Sequence, residues 1–149
     1  MFYPNAANPP SLKFKYPLDH LFSFVTAERL ADPDSYDEQG SAAFVVAKDG
    51  QSSGLTFGRY SAMEAYTCDE FDHDSWEVAV FNYGGSGNFS AKGDSGSLVF
   101  NAEGKMVAII HSGMPRGFSN HVTFATPAHF VIDQIKLRYP KADFARLEF

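Results

Sequence analysis

Apolar residues recur along this chain with two different periods, and the change of period divides it. Leu18, Leu21, Phe22 and Val25 fall at i, i+3, i+4 and i+7, which predicts one face of a short helix. Residues 1–16, rich in Pro and Asn, read as an irregular arm ahead of it, and Ala31-Asp32-Pro33-Asp34 breaks it. From residue 42 the pattern turns to strands. Residues 42–48 are apolar and β-rich, and Asp49-Gly50 follows as a turn. Residues 55–60 begin a second strand region that runs on towards Tyr66. Residues 76–81 alternate Trp, Val, Val and Phe against Glu and Ala, a further strand. Residues 97–101, a tight turn at Glu103-Gly104, then residues 106–110 and 122–125 complete the set. Thr126-Pro127 supplies an N-cap and a first-turn proline for a last helix. Its apolar stripe is Ala128, Val131, Ile132 and Ile135, and Pro140 stops it.

The expected architecture is therefore all-β: six antiparallel strands in a small Greek-key barrel, then one helix. Residues 1–40 form the arm and short helix, and residues 41–149 form the barrel with its C-terminal helix. No internal repeat is present.

Composition narrows the function. At 149 residues the chain is long enough for one domain and one core. Hydrophobic content of 44% against 20% charged places it with globular proteins. Fifteen Phe and seven Tyr imply large buried areas or an aromatic-lined groove. A net charge of −6 argues against nucleic acid, whose phosphates need clustered Lys and Arg, and against anionic membrane surfaces. The single cysteine, Cys68, allows no intrachain disulfide, which fits a reducing compartment. The first residues have neither a basic n-region nor an apolar h-region, and the longest apolar run, 42–47, is too short to span a bilayer. A cytoplasmic location is the expectation. Asn88-Phe89-Ser90 fits the glycosylation pattern, and without a secretion signal it reads as coincidence.

No metal and no cofactor is expected. Cys68-Asp69-Glu70-Phe71-Asp72-His73-Asp74 carries ligand residue types without zinc-like spacing or the glycine of an EF-hand loop, so it reads as a solvated acidic turn. Asn82-Tyr83-Gly84-Gly85-Ser86-Gly87 is glycine-rich, but no Gly-Lys-Ser/Thr follows, so it reads as a barrel loop.

The chemistry concentrates in Gly93-Asp94-Ser95-Gly96-Ser97, which opens the apolar strand Leu98-Val99-Phe100. A nucleophilic serine needs its Oγ exposed on a tight turn, with backbone N–H groups aimed at the developing oxyanion. Gly93 can adopt the backbone shape that points an N–H inward. Gly96 lets the chain turn without a side chain over the substrate. Asp94 can anchor the turn from beneath by an ion pair or hydrogen bonds. The plain alternative is a Gly/Ser/Asp β-turn with no chemistry, and the structural setting decides between them.

This segment resembles the active-serine loop of chymotrypsin-like (trypsin-like) serine peptidases. The order of strands and helix after it also fits that family's second barrel. Lys48-Asp49-Gly50 with Ser53-Gly54-Leu55-Thr56-Phe57-Gly58 is similar to the first hairpin of that barrel in fungal trypsin-like proteins. The resemblance covers about residues 40–140 and is strongest at 93–113. It implies Ser95 as nucleophile and the Gly93 and Ser95 amides as oxyanion hole. It places Phe89 and Ser90 at the base of the specificity pocket, and His111, Ser112 and Gly113 along the substrate-pairing strand. Phe89 in place of an acid disfavours cleavage after Lys or Arg and implies a small or apolar preference.

Two departures matter. His111 stands where the family commonly has a small polar residue; it is a candidate substitute base or a pocket-lining residue. The triad's histidine and aspartate belong to a first barrel of about a hundred residues, and only about 40 residues precede this one. Those contain one histidine, His20, on the predicted helix. His73 falls in the acidic tip, His121 on a strand edge and His129 in the first turn of the last helix. Without a base, losing a triad member costs about 10⁴–10⁶ in rate. The expected substrate or ligand is a peptide or protein. The expected partner is a complementing first barrel or a second copy of the chain, docked on exposed apolar surface. Two functions follow: a serine peptidase domain acting through Ser95, or a non-catalytic module binding peptides in the same groove.

Overall fold

The computed structural model describes residues 23–68, 74–85, 87–114 and 121–142. The arm, His20 and most of the acidic tip with His73 lie outside these residues. The described residues form seven strands and two helices: α1 (Ala27–Ala31), β1 (Phe44–Gly50), β2 (Gly54–Tyr60), β3 (Glu64–Cys68), β4 (Asp74–Asn82), β5 (Leu98–Asn101), β6 (Met106–Gly113), β7 (Val122–Pro127) and α2 (Ala128–Arg138). The sheet runs β2-β1-β5-β6-β7-β4-β3, and a β2–β4 pairing closes it. Six strands thus form a closed antiparallel barrel, with β3 added outside on β4. After the β1-β2-β4 run, β5 returns by a long connection to lie beside β1, the Greek-key crossing. The all-β barrel with its short first helix and its C-terminal helix is the architecture the strand pattern predicted.

Closure hides the edges and turns alternate side chains inward. Phe44, Val46, Tyr60, Val80, Val99 and Val107 are core side chains, all essentially without solvent contact. Tyr60 keeps its hydroxyl satisfied by donating to the Leu30 carbonyl at 3.1 Å.

Four boundaries differ from expectation. The first helix does not hold Val25. Residues 23–25 are extended: Val25 N donates to Met106 O at 2.8 Å, and Met106 N donates to Ser23 O at 2.9 Å. Val25 is fully buried there, a position that suits a β-branched side chain. The helix begins after Thr26, its N-cap. β1 runs through Asp49 and Gly50, and Ala62 at φ +56° separates β2 from β3. Thr126 is a strand residue opposite Ile109, so Pro127 rather than Thr126 stands at the N-cap of α2. Ala128 and Ile132 are the buried part of that helix's stripe.

One irregularity positions the site. β6 slips register against β7 between Ile110 and Ser112, leaving His111 without an opposite residue. Such a bulge re-aims a side chain and bends the strand. Towards β5, pairing of β6 ends at Leu98↔Ile109. His111, Ser112 and Gly113 therefore continue as exposed strand with no paired strand on that side among the described residues.

Candidate functional site

The turn before β5 is held from below by Asp94, which is fully buried. Its carboxylate accepts from Ser52 N at 2.8 Å, Ala91 N at 2.9 Å, Ser53 N at 3.2 Å and Ser53 Oγ at 2.5 Å. Lys48 Nζ lies 3.0 Å away, equally buried. That ammonium also donates to Ser53 Oγ and, at 3.0 Å, to Gly54 O. Burial alone would raise the Asp94 carboxyl. Donation from Ser53 Oγ, the Ala91 and Ser52 amides and Lys48 outweighs it and holds the group well below the usual carboxylate range. A buried pair this fully bonded fixes one geometry for the loop. The close approach explains Gly50: a Cβ there would stand 2.5 Å from Asp94 Oδ1.

Above this anchor the main-chain amides alternate. Asp94 N donates to Ala91 O at 3.0 Å, Gly96 N to Ile110 O at 2.7 Å and Ser97 N to Asp94 O at 3.0 Å. Among the described residues, the amides of Gly93 and Ser95 have no acceptor. Gly93 has φ +104°, and a Cβ on it would lie 2.2 Å from Ser52 Oγ. Ser95 is exposed, and its Oγ donates to the His111 carbonyl at 3.2 Å. A cavity of about 630 Å³ opens beside it, with Ser90, Gly93, Ser95, Ser112, Gly113 and His121 in its wall. The structure thus brings together Ser95, Gly93, Ser90, Ser112 and Gly113, with Asp94 beneath.

Phe89 is a correction. It does not line the cavity but is fully buried in the barrel core. Asn82 Oδ1 accepts its amide at 2.8 Å and Thr56 Oγ1 donates to its carbonyl at 2.5 Å. These bonds turn the ring towards Gly58, where a Cβ would meet it at 2.7 Å. Phe89 therefore carries no information about specificity.

His111 takes part through its carbonyl. Its ring points elsewhere: Nε2 stands 3.2 Å from Oε2 of Glu77, a buried carboxylate oxygen with no hydrogen bond among the described residues. The other oxygen of Glu77 accepts from Ser75 Oγ at 2.7 Å. No ring nitrogen is hydrogen-bonded to Ser95 Oγ among the described residues.

No protein-family model and no curated protein matches the chain. Among solved structures, a similar one is the chymotrypsin of Cellulomonas bogoriensis, at 16% sequence identity and a TM-score of 0.47. The match covers 69% of this chain and 50% of that one, so the chain spans about half the length of that chymotrypsin.

Sequence reasoning missed Lys48, Ser52, Ser53, Glu77 and His121. Lys48 left a faint signal, a lone cation closing an apolar strand. Buried charge needs a partner, and Asp94 was already suspected of seeking one. Ser52 and Ser53 carry no local signal of their bonds to Asp94, about forty residues on. Glu77 sat on the polar phase of an alternating strand, where solvent is the default expectation.

Proposed function

We propose that this domain performs acyl transfer on peptide bonds, with Ser95 as nucleophile, and that it is a member of the chymotrypsin-like serine peptidases. One observation carries the reading: an exposed hydroxyl on a turn pinned by a buried ion pair, flanked by two amides without acceptors, at the mouth of a cavity. In this reading the Gly93 and Ser95 amides receive the oxyanion of the tetrahedral intermediate. The open flank of residues 111–113 pairs with an extended substrate backbone.

The general base and its orienting acid come from outside the described residues, on a complementing barrel. Trp76, at 63% exposure, and Phe130, at 51%, support this partner. They flank a second cavity that also includes Glu77, and Glu77 adjoins His111. Trp76, Pro127 and Phe130 thus give apolar surface that adjoins the site through the Glu77–His111 pair, of the kind a docked domain covers.

A second reading is favoured by one contact. Ser95 Oγ is given to a carbonyl and not to an imidazole, which suits a module that binds extended peptides without cutting them.

An activated ester separates the two. With a p-nitrophenyl ester of an N-acyl amino acid, Ser95 Oγ bonds to the acyl carbon as p-nitrophenoxide leaves, and an added imidazole buffer takes the hydroxyl proton, so the complementing barrel is not needed. Acylation of Ser95 in the full chain is expected as a burst of p-nitrophenol, with the acyl group mapped to that residue. Acylation no faster than in Ser95→Ala, with peptide binding retained, would establish the binding module.

A further inference from the structure

The cavity beside Ser95 has an unusual lining for this chain. The protein as a whole is acidic, with a net charge of −6. Yet among the described residues the ionisable side chains in the cavity wall are Lys92 and His121, with no carboxylate. Asn88, Ser90 and Ser112 add neutral polar groups. Ser90 Oγ and Thr123 Oγ1 share a hydrogen bond of 2.6 Å, which holds that hydroxyl in one place.

His121 is the informative member. It precedes β7 and is 8% exposed. Its Nδ1 is buried and has no partner among the described residues. Its ring packs beside Gly113, where a Cβ would lie 3.3 Å from Cε1 and 3.4 Å from Nε2. With Nδ1 sealed from solvent, Nε2 beside Gly113 is the nitrogen that a group bound in the cavity can reach. Burial pushes the imidazole below its ordinary value, a penalty on its charged form that an anion beside it would offset.

We propose that this cavity receives a carboxylate side chain, and that the domain takes peptides with Glu or Asp immediately before the bond presented to Ser95. His121 donates to the carboxylate from the inner wall, and Lys92 adds favourable charge nearer the solvent. A cationic side chain meets like charge, and an aromatic one leaves the imidazole unpaired. The inference rests on Ser95 as nucleophile.

The test uses three peptidyl diphenyl phosphonates that differ only in the terminal side chain: Glu, Phe and Lys. Each forms a phosphorus–oxygen bond to a reactive serine with loss of phenoxide. The Glu probe is expected to modify Ser95 of the full chain about tenfold faster than either of the others. His121→Ala is expected to collapse the Glu-to-Phe ratio to near unity. Faster labelling by the Phe or Lys probe would overturn this specificity and leave the nucleophile intact. A Glu preference unchanged in His121→Ala would overturn the role of His121. Failure of all three probes while the p-nitrophenyl ester still acylates Ser95 would overturn this inference alone; failure of the ester as well would remove the nucleophile with it.

Discussion

Asp94→Ala is expected to cost about 3–5 kcal/mol of folding stability, because it leaves the Lys48 ammonium buried and unpaired. Lys48 and Asp94 are both without solvent contact, and four further donors converge on the same carboxylate. Denaturant unfolding measures the loss. Replacing both partners, as in Lys48→Met with Asp94→Asn, removes the stranded charge and should recover part of it. Acid should act in the same direction. The folded carboxyl lies below its ordinary value of 3.8. Its contribution is therefore complete above that value and is lost as the pH falls through the folded one. Stability that stayed flat below pH 3.8 would contradict the anchor.

Gly93→Ala is expected to slow acylation of Ser95 by about 10²–10³-fold, the usual cost of removing one oxyanion donor. The added methyl would stand 2.2 Å from Ser52 Oγ, at a φ of +104° that disfavours any side chain. The peptide plane must rotate or the Ser52 loop must shift, and either moves the amide. Gly96→Ala is the control. It shares a positive φ, +88°, but its Cβ would meet nothing within 4 Å. It should carry only the conformational strain, about 1–2 kcal/mol, with acylation within tenfold of the parent. Equal rate losses in the two variants would show that the turn, rather than a donor at Gly93, matters.

Much of this was legible in the chain. Alternation in residues 76–81 and the apolar run before Lys48 announced strands, since one face of each must enter the core. Gly93-Asp94-Ser95-Gly96 announced its turn because few residues tolerate those backbone angles. What stayed hidden depended on long-range approach. Val25 satisfies a helical spacing, yet it pairs with Met106, about eighty residues on, and nothing local records that. Phe89 beside Ser90 looked like pocket lining, and only the bonds to Asn82 and Thr56 turn it inward. His121 read as a strand-edge residue, and its place in the cavity wall appears only once β6 and β7 are paired. The bulge at His111 likewise arises between strands, so neither strand alone contains it.

The reactivity of one hydroxyl, that of Ser95, underlies both the acyl transfer and the specificity of the groove. Treating the full chain with a fluorophosphonate, then locating the adduct by peptide mass mapping, tests it most directly. The prediction is one adduct per chain, on Ser95, lost in Ser95→Ala. An unmodified chain, or label spread over several hydroxyls equally in parent and variant, would contradict it.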